Sequence, residues 1–270
     1  MAEKDLAGRK AIVTGSATGL GRSIALRLAE RGADVIINCT RSIDEGEATV
    51  AACNEAGAQA QLVAADVSTE EGASKLAEAA SAWGRLDILV NNAGITRHAR
   101  DHSDLDALSR ADFIDTYAVN VAGPFLVMQA CKELMVKAYE QTGRASAALN
   151  ISSIAGVTGI GSSVAYAATK GALNTMTLSL ARALAPAIRV NAVCPGFIGT
   201  RWFKNEMDAE QYERLEANVA KSTPLNAASG PDDIADSAVF FLTDASRHVT
   251  GETLLVDAGT HLGFAPLTAR

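Results

Sequence analysis

Ala11-Ile12-Val13-Thr14-Gly15-Ser16-Ala17-Thr18-Gly19-Leu20-Gly21 is the stretch that decides the fold. A short run of apolar residues, which composition reads as a buried strand, enters a turn with three glycines. An amphipathic stretch over residues 20–31 follows and stops at Gly32. Glycines let the backbone turn sharply and pass close to a pyrophosphate, and the next helix presents free N–H groups and a partial positive charge. A glycine triplet alone is a weak signal; the strand before it and the helix after it give it weight. The spacing is G-x-x-x-G-x-G, not the commoner G-x-G-x-x-G.

The same alternation repeats outward from this turn. Strands are expected at residues 35–37, 61–65, 86–90, 147–151, 188–193 and 253–256. Helices are expected up to about residue 55 and over 70–83, 111–139, 165–184 and 232–242. Continuous apolar strands joined by helical crossovers imply a parallel sheet covered on both faces. The expected architecture is therefore α/β: a single Rossmann domain over residues 1–270, doubly wound, with a parallel seven-stranded sheet and helices on both faces. No linker, repeat or low-complexity tract divides the chain. Residues 96–109 and 196–231 look irregular, and loops of that length usually serve function. The second is expected to carry a short helix near 208–220.

Composition narrows the function. The 270 residues are 48% apolar with a formal net charge of -7, enough to bury one sizeable core and unlike a disordered segment. A basic footprint for nucleic acid is missing, so no nucleic-acid partner is expected. Cys39, Cys53, Cys131 and Cys194 form no C-x-x-C pair or metal-ligand spacing and read as buried thiols, with no metal expected. The polar, mixed-charge start does not resemble a targeting signal, and no apolar run approaches the roughly 18 residues of a membrane helix. A cytoplasmic protein without membrane contact is the expectation.

Four further motifs stand in register with the glycine turn: Asn91-Asn92-Ala93-Gly94, the series Asn120, Ser153, Tyr166 and Lys170, Asp66-Val67, and Pro195-Gly196. Together they resemble the short-chain dehydrogenase/reductase family in its compact single-domain branch, and are similar to its 3-oxoacyl-[acyl-carrier-protein] reductases. The likeness runs from Arg9 to Gly259. It implies a nicotinamide dinucleotide held by Gly15, Ser16, Thr18, Gly19, Leu20 and Gly21. Asp66 and Val67 would lie at the adenine, followed by Asn92, Ala93, Gly94, Pro195 and Gly196. Ile198 and Thr200 would meet the carboxamide, and Tyr166 and Lys170 would also touch the cofactor.

The second strand closes as Asn38-Cys39-Thr40-Arg41-Ser42, without the carboxylate that takes ribose hydroxyls in NAD-binding members. Arg41, beside Ser42, is suited to pair with a 2′-phosphate through charge-assisted bonds. The alternative is a solvated loop arginine. NADP(H) is the expected cofactor, with NAD(H) second.

Tyr166 and Lys170 are four residues apart on an expected helix and share one face. A free tyrosine titrates near 10, too high for a neutral-pH base, and a nearby ammonium is expected to lower it. By resemblance Ser153 holds the substrate oxygen, while Ser152 is a structural hydroxyl. Asn120 allows an argument of its own: helical geometry would pair its carbonyl with the N–H of residue 124, which is Pro124. That carbonyl is then free to hold a water, which the resemblance implies as a relay between Lys170 and solvent. A simple kink at Gly123-Pro124 is the other reading, and both can hold.

Arg201, Trp202, Phe203 and Met207 offer one charge among apolar surfaces for a substrate lid, although Trp202 and Phe203 would equally suit loop anchors. His98 and His102, with Arg97, Arg100 and Asp101, either reach the site mouth or are simply solvated. The chain's close resembles the family's, with Ala258 replacing a glycine, and its apolar helix 238–242 and last strand resemble the family's subunit interface, so a homotetramer is expected. The leading expectation is reduction of a small-molecule ketone, 3-oxoacyl or related, to a secondary alcohol. An alcohol or sugar dehydrogenase working oxidatively is the alternative, and a catalytically idle NADP-binding regulator the third. Arg144, Arg182 and Arg189 are too scattered to mark a carrier-protein surface clearly.

Overall fold

The computed structural model describes residues 4–99, 101–200 and 207–263. Among them the strands are β1 (Lys10–Val13), β2 (Asp34–Cys39), β3 (Ala60–Ala64), β4 (Ile88–Asn91), β5 (Ser146–Ile151), β6 (Ile188–Pro195) and β7 (Thr253–Val256). They form one sheet in the order β3-β2-β1-β4-β5-β6-β7, and every pairing is parallel. The helices are α1 (Gly19–Glu30), α2 (Ile43–Glu55), α3 (Glu70–Ser81), α4 (Arg110–Tyr117), α5 (Gly123–Thr142), α6 (Ala155–Thr158), α7 (Val164–Leu184), α8 (Ala209–Ser222) and α9 (Pro231–Phe240).

Successive strand residues point to opposite faces, and the core divides accordingly. Val13, Val35, Ile37, Val90 and Leu149 pack with Ile24 and Leu28 of α1 and Ile234 of α9. Ile12, Ile36, Leu89 and Val190 pack with Leu76 of α3 and Val127 and Met135 of α5. Two covered faces explain why the strands read as unbroken apolar runs. Chain direction across the sheet reverses beside β1, which has β2 on one side and β4 on the other. Ligands of such sheets bind at the carboxyl ends of the strands at this reversal, where the glycine turn and N-N-A-G lie.

The expected helix over 111–139 is not continuous. It breaks into α4, a π-helical turn over Ala118–Ala122, and α5. Pro124 has no N–H to close an α-turn on Asn120, and the Gly123 N–H reaches back to the Ala118 carbonyl, five residues away. The four residues of α6 and the 3-10 turns at Leu105–Ala107, Asp244–Ser246 and Thr260–Leu262 also escaped the sequence reading. They are too short to show a period.

Candidate active site

The glycine turn is laced to its surroundings by hydrogen bonds that leave its rim open. Gly15 and Gly19 have φ of +60 and +59, a region costly for any residue with a Cβ. A Cβ on Gly15 would stand 2.8 Å from the Ala93 Cα, and one on Gly21 would collide with the Asn92 amide. A Cβ on Gly19 would make ordinary contact with the Thr200 side chain, its methyl at 3.6 Å, and with nothing nearer among the described residues. Thr18 caps α1 without a side-chain bond to its first turn. Thr14 Oγ1 accepts the N–H groups of Asn92 and Ala93, both at 3.0 Å, and the Asn92 amide donates to the carbonyls of Thr14 and Gly15.

Ser16 corrects the sequence reading. Its hydroxyl donates to the Val13 carbonyl at 2.6 Å and its N–H to the Asn38 carbonyl at 2.8 Å. Fully buried, Ser16 braces the turn and offers neither group to a ligand. Its partner Asn38 was not singled out from sequence. The Asn38 Oδ1 accepts the Gly15 N–H, and its Nδ2 donates to the carbonyls of Val63 and Ala65. An Asn closing a buried strand was the available signal.

Asn120 is fully buried in the π-turn. Its Oδ1 accepts the Ile95 N–H, and its Nδ2 donates to the Ile95 carbonyl and to Thr169 Oγ1. A Cβ on Gly94 would fall 3.3 Å from Asn120 Oδ1 and 3.8 Å from Lys170 Nζ, so N-N-A-G, the π-turn and α7 meet at one point.

Tyr166 and Lys170 lie on the face of α7 turned toward β5. Ser163 caps that helix by accepting the Tyr166 N–H. Lys170 Nζ donates to the Ile151 carbonyl at 2.8 Å and lies 5.6 Å from the Tyr166 ring centre. Ser153, two residues past β5, hydrogen-bonds the Tyr166 hydroxyl, and its Oγ accepts the Ala155 N–H. Ser152 is buried and donates to the Lys170 carbonyl, a structural hydroxyl as expected. Gly156 lets α6 press against α7, where a Cβ would stand 2.5 Å from the Lys170 carbonyl carbon.

Burial dominates the titration of both groups. It pushes the Tyr166 phenol up to about 12, against the Ser153 hydrogen bond that lowers it. It pushes the Lys170 ammonium down to about 8. The sequence leads to the expectation of a phenol lowered by the nearby ammonium; in the protein without cofactor it is raised, because burial is the largest effect. Desolvation of the phenolate outweighs the hydrogen bond from Ser153 that favours it.

At the other end of the crevice, Arg41 is exposed and makes no salt bridge among the described residues, and Ser42 caps α2 without a side-chain bond. Asp66 Oδ1 accepts from the N–H and hydroxyl of Ser68, while Val67 is buried. Pro195 ends β6 beside Val256, and a Cβ on Gly196 would meet the Asp257 side chain at 2.8 Å. The Thr200 N–H turns back to the Ile198 carbonyl at 2.7 Å. His102 bonds the Gly161 carbonyl and the Ala99 N–H the Ser162 carbonyl, tying the 96–109 loop to the segment before α7. The proposed lid residues Arg201, Trp202 and Phe203, and Arg100, lie outside the described residues; Met207 precedes α8.

A family model described as enoyl-(acyl carrier protein) reductase matches residues 15–261. The chain is 40% identical over 253 residues to a Streptomyces violaceoruber protein named as ketoacyl reductase 2 of the granaticin polyketide synthase, covering 93% of this chain and 96% of that one. The chain belongs to the short-chain dehydrogenase/reductase family. Another relative in this family is an L-rhamnose 1-dehydrogenase (NAD(P)(+)) of Sphingomonas, 35% identical over 97% of this chain and 99% of its own. The RhlG/NADP active-site complex of Pseudomonas aeruginosa superposes with a TM-score of 0.86 at 31% identity, over 97% of this chain and 99% of that one. Membership makes the chain an oxidoreductase that works with a nicotinamide cofactor. The cradle fits one: two left-handed glycines, Gly15 and Gly19, and a helix start without a side-chain cap. No described helix is long and apolar enough to cross a membrane.

Proposed function

We propose that this short-chain dehydrogenase/reductase uses NADP(H) to reduce a ketone, of 3-oxoacyl or related type, to a secondary alcohol. The observation that carries the reading is the convergence of Ser153, Tyr166 and Lys170 at the carboxyl end of β5, beside the glycine turn. Ser153 and Tyr166 hold the carbonyl oxygen, and Tyr166 passes its proton to that oxygen as charge develops there. Lys170 orients the site and returns the proton, with the Asn120 carbonyl holding the connecting water. A bound nicotinamide would supply the hydride in reduction, and the positive charge of its oxidised form would favour the phenolate. A phenol kept protonated by burial suits a proton donor at neutral pH.

Gly15, Thr18, Gly19, Leu20 and Gly21 are assigned to the pyrophosphate, Arg41 and Ser42 to the 2′-phosphate, and Asp66 and Val67 to the adenine. Asn92, Ala93, Gly94, Pro195, Gly196, Ile198 and Thr200 are assigned to the nicotinamide half. The exposed Arg41, which makes no salt bridge among the described residues, and the NADP named in the Pseudomonas complex support the choice of NADP(H). A second reading, oxidation of an alcohol or sugar by the same groups, is favoured by the L-rhamnose dehydrogenase relative. The reading includes a homotetramer in the cytoplasm. An apolar groove between α4 and α7, lined by Phe113, Ile114, Tyr117, Ala165 and Ala168, and the half-exposed Phe240 on α9 support the assembly.

The test follows NADPH absorbance with acetoacetyl thioesters, cyclic ketones and sugars, in both directions. Tyr166→Phe is expected to bind NADPH normally and to lose nearly all turnover. Wild-type turnover in that variant overturns the reading.

A further inference from the structure

We infer that Thr169 is a positioning residue for the proton relay. It fixes the π-turn that carries Asn120 to the helix that carries Tyr166 and Lys170. The inference rests on the catalytic reading above and goes beyond it.

Thr169 is buried, 2% exposed, between the two residues of the Tyr-x-x-x-Lys pair. Its hydroxyl has one proton, donated to the Tyr166 carbonyl at 2.8 Å. Its lone pair accepts from Asn120 Nδ2 at 3.1 Å. The other Nδ2 proton goes to the Ile95 carbonyl at 2.9 Å, and Oδ1 takes the Ile95 N–H, also at 2.9 Å. Every donor and acceptor in this chain has one role, so neither the amide nor the hydroxyl is free to flip. An amide that cannot flip holds its own backbone.

That matters because the turn under Asn120 is π-helical, a wider geometry that persists only where surroundings hold it. Ile95 ties Asn120 to the N-N-A-G strand end. Thr169 supplies the tie to the catalytic helix. Without it, the Asn120 carbonyl loses its fixed position relative to Lys170 while the cofactor cradle, built on β1, β2 and β4, is untouched.

The experiment compares Thr169→Val, which keeps volume and removes the hydroxyl, with Thr169→Ser, which keeps the hydroxyl. It adds Asn120→Ala and the Asn120→Ala/Thr169→Val double variant. NADPH Kd, kcat, KM, the solvent deuterium isotope effect on kcat, native mass and Tm are measured for each. Thr169→Val is expected to lower kcat about tenfold, to leave NADPH Kd and carbonyl KM within about twofold, and to raise the isotope effect. Thr169→Ser should restore kcat, and the double variant should be no slower than Asn120→Ala alone. Wild-type kcat in Thr169→Val, equal losses in Val and Ser, or additive losses in the double variant overturn the assignment. Thr169→Ala takes the place of Thr169→Val if the valine variant does not fold. Tyr166→Phe runs beside them. Turnover surviving there sinks the catalytic reading, whereas a dead Tyr166→Phe with unchanged Thr169→Val sinks only the role of Thr169.

Discussion

The Lys170 ammonium sits 5.6 Å from the centre of the Tyr166 ring, yet the hydrogen bond fixed by its position runs to the Ile151 carbonyl at 2.8 Å. The lysine is thus anchored on the sheet and lies beside the phenol without capturing it. An ammonium bonded directly to the phenol would hold a phenolate and leave no proton to donate. Anchored on β5, Lys170 instead keeps its charge close enough to act when charge develops.

Burying the ammonium has a measurable cost. The folded Lys170 titrates near 8 and its ordinary value is 10.5. Between those values the unfolded chain binds a proton that the folded chain has released, so wild-type stability rises with pH across that window. Below pH 8 the burial penalty is full. Lys170→Met has no such penalty, so its Tm relative to wild type should be most favourable at pH 7 and fall steadily toward pH 10.5. The swing is of order 3 kcal/mol. A Tm difference that is flat with pH would show that Lys170 is not desolvated.

Arg41 bears on cofactor choice. An arginine paired with a 2′-phosphate contributes through charge-assisted bonds of about 1.5–3 kcal/mol. Arg41→Ala should therefore lower kcat/KM for NADPH roughly 10- to 100-fold and leave NADH nearly unchanged. Steady-state kinetics with both cofactors decide it. An equal loss with both would assign Arg41 to something other than the phosphate.

The strands, the glycine turn and the Tyr-x-x-x-Lys face were legible because each rests on local spacing. Val35 and Ile37 face one core and Ile36 the other, and that alternation is visible in three letters. What was not legible depended on partners far along the chain. Pro124 announced a break, but only the Gly123 N–H finding the Ala118 carbonyl makes it a π-turn. Ser16 reads like a ligand contact until Asn38, on the next strand, takes its N–H. Thr169 looks like any small helical residue until the Asn120 amide arrives from 49 positions away.

Gly15 and Gly19 separate strain from collision. Both have the same left-handed backbone, so alanine at either costs about 1–2 kcal/mol in conformation. At Gly15 the new methyl also meets the Ala93 backbone at 2.8 Å, whereas at Gly19 it makes an ordinary 3.6 Å contact with Thr200. Gly15→Ala should lower Tm clearly more than Gly19→Ala. Equal losses by calorimetry would mean that N-N-A-G yields freely, contrary to its bonds with Thr14.

Asn38→Asp tests the bracing of the turn from β2. The new carboxylate keeps an acceptor for the Gly15 N–H but faces the carbonyls of Val63 and Ala65, which Asn38 now satisfies as a donor. A buried charge against two carbonyls costs upward of about 3 kcal/mol. Desolvation and the carbonyl dipoles would raise its folded pKa above the ordinary value of about 3.9. A protonated aspartic acid restores one of the two lost donations. The variant's Tm deficit should therefore be several degrees at pH 7 and should narrow as pH falls toward 4.5, because the folded state then gains a proton ahead of the unfolded one. Scanning calorimetry of both proteins over that range provides the comparison. A deficit that stays constant would place residue 38 in contact with water and remove it from the support of the glycine turn.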